Sequence, residues 1–271
     1  SDIHSNTEAL TAVLHVLDQH AVDKIVCLGD LVGYYANPNE CLEIIKDRKM
    51  VCISGNHDRG AIGLKALTRF RGGARRAMPW TQRQLTVENK LFLKSLPLTR
   101  TVDDAFVAVH SSLDPDSDAD FYIRSEEDSL PTLGYLVSHA SPYKICFFGH
   151  THHPVVYEYD NGKIDKKVET QIPLSPSCHY LINPGSVGQS RDADARASFL
   201  IYDTNPSSVS FFRVPYDREA CLRKARKARI LYTEGALSKE WTKMKIRAKG
   251  RWPALYGWVR NRVRRYFPYR G

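Results

Sequence analysis

Ile145-Cys146-Phe147-Phe148-Gly149-His150-Thr151-His152 is the stretch on which the reading of the fold turns: four apolar residues end abruptly in a glycine and two histidines. A short unbroken apolar run closed by turn residues is the pattern of a strand buried on both faces. The same pattern recurs upstream. Lys24-Ile25-Val26-Cys27-Leu28 runs into Gly29-Asp30, Val51-Cys52-Ile53-Ser54 into Gly55-Asn56-His57-Asp58, and Phe106-Val107-Ala108-Val109 into His110. Ser1-Asp2-Ile3-His4 reads as the end of a further strand, whose body is expected upstream of Ser1. In an open α/β sheet the loops at the carboxyl ends of the strands converge on one crevice, so these five polar groups are expected to meet there.

Between the strands the spacing turns helical. Leu10, Val13, Leu14 and Leu17 mark a helix over 7–20, and Leu42, Ile44 and Ile45 another over 39–48, with further helices around 81–95 and 130–138. After residue 154 short strands follow one another over 155–159, 163–169, 180–183, 199–203 and 209–214, and Asp160-Asn161-Gly162 is a hairpin signal. The pattern predicts an α/β fold of two packed sheets flanked by helices, the second sheet more antiparallel, over residues 1–216.

Charge separates the rest. The 271-residue chain carries +9, yet residues 221–271 hold sixteen Lys or Arg against Glu234 and Glu240, while residues 1–220 are mildly acidic. A basic helical extension is expected over 217–271. Trp252, Leu255, Tyr256, Val259 and Val263 form one helical stripe there, flanked by Arg260, Arg262, Arg264 and Arg265. Such a helix either docks on its own domain or meets an anionic partner, a membrane surface or RNA. No run of about 18 apolar residues is present. None of the six cysteines forms a C-x-x-C pair, and Cys27, Cys52 and Cys146 lie in apolar runs, which predicts a reducing, cytoplasmic setting.

Taken in order, D-x-H, GD, GNHD, H and GHTH resemble the calcineurin-like metallophosphoesterase superfamily over roughly residues 1–215. The stretch from Asn183-Pro184-Gly185-Ser186 to Arg191-Asp192 is similar to its prokaryotic branch, described as diadenosine tetraphosphatase-like or YfcE-like phosphodiesterases. The resemblance implies a four-layer α/β/β/α sandwich and a two-metal hydrolase of phosphate esters that uses a metal-bridging hydroxide. It implies Asp30 as the bridging ligand, Asp2, His4 and His152 on the first ion, and Asn56, His110 and His150 on the second. Mixed imidazole, carboxylate and amide ligands suit Mn above all, with Fe, Zn, Ni or Co as alternatives. His57 is implied as the proton donor to the leaving oxygen, and Asp58 is expected to orient its imidazole and raise its pKa. Arg59 and Arg191, with Asn56, are candidate substrate contacts.

His15, His20, His139 and His179 lie outside the motifs and read as structural, and His153 is expected to face away from the site. Gly29-Asp30-Leu31-Val32-Gly33-Tyr34 lacks the arginine that the superfamily's phosphoprotein phosphatases carry, which points to a nucleotide or another small phosphoester. Tyr34 and Tyr35 either stack on a base or pack the loop. A non-catalytic metal-binding scaffold of the same fold is the alternative, and the presence of His57 argues against it.

Overall fold

The structure is a computed structural model that describes residues 1–117, 120–138 and 143–230. In chain order the elements are α1 (Thr7–Gln19), β1 (Val26–Cys27), α2 (Pro38–Asp47), β2 (Val51–Cys52), α3 (Asn56–Ala61), α4 (Gly72–Gln84), α5 (Val87–Ser95), β3 (Thr99–Val102), β4 (Phe106–Val109), α6 (Glu126–Ser138), β5 (Ile145–Phe147), β6 (Val155–Asp160), β7 (Lys163–Lys167), β8 (Gln171–Pro173), β9 (His179–Asn183), β10 (Ala197–Thr204), β11 (Ser207–Val214) and α7 (Arg218–Lys227).

Six strands form one mixed sheet in the order β3-β4-β5-β9-β6-β7, with β4, β5 and β9 parallel. Opposite it lie the antiparallel trio β10-β11-β8 and the parallel pair β1-β2. Residues 1–4 join these two pieces. The N–H groups of Asp2 and His4 donate to Gly29 O and Asp30 O, each at 3.0 Å, while Ser1 O and Asp2 O accept from Val187 and Gly188 at 3.0 and 2.9 Å.

Period-two alternation divides the apolar residues between layers. Ile145 and Phe147 of β5 face the space between the sheets, where they pack with Leu28, Ile53, Ile172, Ile182 and Val209. Cys146 and the adjoining Phe148 face the other way, against Leu133 and Leu136 of α6. On the far side α1, α2 and α4 cover Cys27, Cys52, Ala197 and Phe199. Helix, sheet, sheet and helix therefore stack as four layers, each fully buried aliphatic or Phe side chain contributing about 1.5–3 kcal/mol.

Two expectations are corrected. Strands β6, β7 and β9 belong to the first sheet rather than to a separate second one: β9 adds parallel to β5, with Cys146 opposite Leu181, and Leu181 and Ile182 bury both of its faces. The helix expected over 81–95 is two helices, because Thr86 adopts an extended backbone and its hydroxyl accepts the Asn89 N–H at 3.2 Å, capping α5.

Helix α7, capped by Asp217, buries Cys221, Leu222 and Ala225 against Tyr35 and Ala77. His139 and residues 231–271, including the Trp252–Val263 stripe, lie outside the described residues. All six cysteines are free and buried. Among the described residues no helix is long and apolar enough to cross a membrane.

Candidate metal centre

The ligand-type side chains leave the strand ends on bent backbone. Asp2, His4, Asp30, His150 and His152 all have φ between 52° and 67°, the left-handed region. That conformation costs a non-glycine residue of order 1–3 kcal/mol, a cost comparable to the gain from burying one core side chain. It turns each residue out of its strand direction and into a common space. Gly55 leaves that space open: a Cβ there would lie 2.1 Å from Asp30 Oδ1.

Three overlapping acid–histidine groups result, Asp2 with His4 and His152, Asp30 with His110 and His150, and Asp30 with His4 and His57; all seven side chains are 0–4% exposed. Asp30 is shared by two of them, its Oδ2 lying 3.3 Å from His110 Nε2 and 3.8 Å from His4 Nε2. Each histidine but His57 is held by one ring nitrogen on a backbone carbonyl. His4 Nδ1 lies 3.2 Å from Val32 O, His110 Nδ1 2.7 Å from Leu28 O, His152 Nδ1 2.5 Å from Gln189 O and His150 Nε2 3.2 Å from Asp120 O. Such carbonyls fix the tautomer, leaving the other nitrogen as a lone-pair donor.

These donors fit a cation. His4 Nε2 and His152 Nε2 face each other at 3.2 Å, beside an Asp2 Oδ1 that is buried without an aligned hydrogen-bond donor. Burial, reinforced by His57, keeps His4 well below its usual pKa, and burial with Arg191 lowers His152. Two rings held toward the neutral form and a buried carboxylate oxygen thus converge. In the second group, burial disfavours a charged His110, but Asp30 and Asp2 outweigh it and push its pKa up to about 10. The Asp30 region therefore draws positive charge to itself. Imidazole, carboxylate and amide donors are the set that divalent transition metals take.

Asn56 opens α3 and joins this group, its Oδ1 lying 3.1 Å from His110 Nε2. His57 follows it, with its backbone N–H donating to Asp30 Oδ1 at 2.8 Å. Its ring stacks on Tyr34 at 4.8 Å and meets His4 and Phe70 edge-on at 4.6 and 5.1 Å. His57 Nδ1 is buried without a hydrogen bond, beside Gly33, where a Cβ would stand 2.4 Å away. Burial pulls the His57 pKa down to about 4, although Asp30 opposes this.

The expectation for Asp58 is corrected. Its carboxylate does not reach the His57 ring; it accepts the N–H of Val32 at 3.1 Å and of Gly55 at 2.9 Å, capping α3. An i+1 residue on a helix points away from its neighbour. Arg59 is half-buried and makes no hydrogen bond or ion pair between side chains among the described residues. Arg191 lies at the site, donating to His150 O at 3.2 Å and Tyr34 Oη at 3.3 Å, and it also hydrogen-bonds Tyr122. His15, His20 and His179 sit outside the cluster, and His153 is half-buried beside it.

Sequence reasoning missed Tyr122, which stacks on His150 at 4.0 Å and has the Arg124 guanidinium 4.3 Å from its ring centroid. It also missed the four carbonyls, since backbone acceptors leave no trace in residue identity. For Tyr34, loop packing is what the structure contains: the ring braces His57 and the hydroxyl meets Arg191.

The chain belongs to the calcineurin-like phosphoesterase superfamily, whose domain model matches residues 1–207. A metallophosphoesterase from Sphaerobacter thermophilus is 34% identical, covers 84% of this chain and 91% of its own, and superposes with a TM-score of 0.69. An uncharacterized protein of Methanocaldococcus jannaschii is 36% identical over 233 residues, 85% of this chain and 91% of that protein. A hypothetical protein of Pyrococcus horikoshii, 18% identical with a TM-score of 0.68 over 88% of this chain and 94% of its own, shares the fold.

Proposed function

We propose that this protein hydrolyses a phosphate ester, a nucleotide or another small phosphoester, at a pair of divalent transition-metal ions, manganese being the first choice and Fe, Zn, Ni or Co the alternatives. The observation that carries this reading is the overlapping set of buried acid–histidine groups with Asp30 among them and every proposed ligand histidine braced by a carbonyl. Asp2, His4 and His152 would hold one ion and Asn56, His110 and His150 the other, with Asp30 shared. Such a pair supplies an acidified water at neutral pH and neutralises charge on phosphoryl oxygens.

The side chains divide the remaining work. Arg191, steadied by two tyrosines and the His150 carbonyl, presents a cation to phosphoryl oxygen. His57 hands a proton to the leaving oxygen from Nε2, since Nδ1 is enclosed beside Gly33. Burial, with Arg191 and the neighbouring histidines, disfavours the charged ring while Asp30 favours it, and an anionic phosphate beside it would add its weight to the imidazolium. Asp58 contributes by fixing the turn from which Asn56 and His57 project.

The test is metal-reconstituted protein assayed against phosphomonoesters, phosphodiesters, cyclic nucleotides and dinucleoside polyphosphates, alongside metal analysis. About two ions per chain with turnover of at least one class is the expected result. Folded protein that takes up metal and turns over none of them would leave a binding scaffold. The basic segment beyond residue 220 is proposed to set location or partner, an anionic membrane surface or RNA, and deletion from about residue 250 is expected to leave turnover of a small ester unchanged.

A further inference from the structure

Residues 59–87 contain seven basic residues, Arg59, Lys65, Arg69, Arg71, Arg75, Arg76 and Arg83, and no acidic one. That run interrupts a body, residues 1–220, that is acidic overall. An unbroken charge run is ordinarily only a solvated face, so its position decides its meaning.

This run starts beside the metal centre. It begins on α3, directly after Asn56 and His57. Phe70 closes on the His57 ring, and Gly60 has no Cβ because one would lie 2.4 Å from the Phe70 ring. Lys65 pairs with Asp120, whose carbonyl braces His150. Helix α4 then packs on α3, with Ala74, Ala77 and Met78 buried and Gln82 donating to Gly60 O at 2.7 Å. Its other face carries Arg71, Arg75, Arg76 and Arg83, all exposed. Arg71, Arg75 and Arg83 make no ion pair among the described residues. Leu64, 56% exposed, lies in the same run.

From Arg71 to Arg83 the helix rises about 18 Å, room for several phosphates of a strand laid along it. Guanidinium rather than ammonium predominates, six to one, which suits phosphate oxygens. We propose that this run is a track for the backbone of a single-stranded nucleic acid, so that the substrate of the proposed phosphoesterase is an oligonucleotide whose flanking phosphates lie along α4. The scissile phosphate must reach a site whose acid and histidine side chains are 0–4% exposed. A flexible single strand can be drawn into it, whereas a duplex holds its phosphates on a stiff outer surface.

The proposal rests on the phosphoesterase reading, and the test separates the two. The variant R71Q/R75Q/R83Q alters only exposed positions and keeps good helix formers. In the full chain without metal, binding of a fluorescein-labelled 12-nucleotide single strand, read by anisotropy, is expected to weaken at least about tenfold at low salt. The slope of log affinity against log salt should flatten by about 2 as three phosphate contacts are lost. With metal, kcat/KM for the oligonucleotide should fall in parallel while that for bis-p-nitrophenyl phosphate holds. Unchanged oligonucleotide binding and turnover would overturn the proposal, as would an equal loss of binding to anionic phosphatidylserine vesicles or to a nucleoside triphosphate. Wild-type protein that binds the oligonucleotide in this Arg-dependent way but hydrolyses no ester would overturn the phosphoesterase reading and leave the track standing.

Discussion

Five buried histidines crowd one site, and two different devices hold them. His4, His110, His150 and His152 each lean one nitrogen on a backbone carbonyl, whereas His57 leans on rings: Tyr34 beneath it, His4 and Phe70 at its edges, and nothing polar on Nδ1. A carbonyl partner fixes the tautomer and sharpens the opposite lone pair, which is what a ligand requires. A ring cage fixes the plane and leaves the protonation state free to change, which is what a proton carrier requires. On this contrast the four are proposed as ligands and His57 as the proton carrier.

The largest effect that would sharpen this contrast is at Asp30. Asp30→Asn is expected to reduce bound metal from about two ions per chain toward zero by plasma emission analysis. It should also lower kcat/KM by at least about 10³-fold, because Lewis-acid stabilisation is worth several kcal/mol. Retention of both ions would break the assignment of Asp30 as the shared ligand. Next is His57→Ala, which should keep both ions and lose about 10²–10⁴-fold on alkyl esters with poor leaving groups. Loss on p-nitrophenyl esters should be much smaller, and equal losses would mean that His57 only positions substrate.

Asp58→Ala is a structural change in these terms. Chemical denaturation should show a loss of about 1–2 kcal/mol from the missing cap, with the ratio of activity on poor and good leaving groups as in wild type. A change in that ratio would restore a link from Asp58 to His57 that the geometry lacks. Smallest is Tyr34→Phe, which keeps the stack and removes the hydroxyl that Arg191 meets. KM should rise about two- to tenfold, the net worth of one hydrogen bond, at unchanged kcat; a matching fall in kcat instead would tie the hydroxyl to the chemistry.

Sequence pattern made the layers legible because burial on both faces forces unbroken apolar runs such as 106–109 and 145–148, and polar motifs had only the strand ends to occupy. It did not reveal which sheet β6, β7 and β9 join, since hairpin signals fix local pairing and leave the partner across the sheet open. The acid and histidine residues that meet at the strand ends were legible because their types are chemically constrained. The supports were not: Leu28, Val32, Asp120 and Gln189 act through carbonyls that any residue possesses. Asp58 misled because adjacency in sequence suggested adjacency of side chains, and helix α3 turns the two apart.

Asp2 has a second duty. Its side chain faces the site while its N–H and carbonyl tie Gly29 to Gly188, and the Ser186 hydroxyl adds another bond to the same carbonyl at 2.9 Å. The residue is thus a rivet through two halves of a split sheet as well as a proposed claw on the cation. Mutational tolerance at this position is consequently judged twice, once by chemistry and once by assembly. A replacement can pass the second judgement only if it accepts left-handed backbone, which asparagine does and valine does not. Lineages that abandoned catalysis would therefore be expected to keep Asp or Asn here long after His57 had drifted.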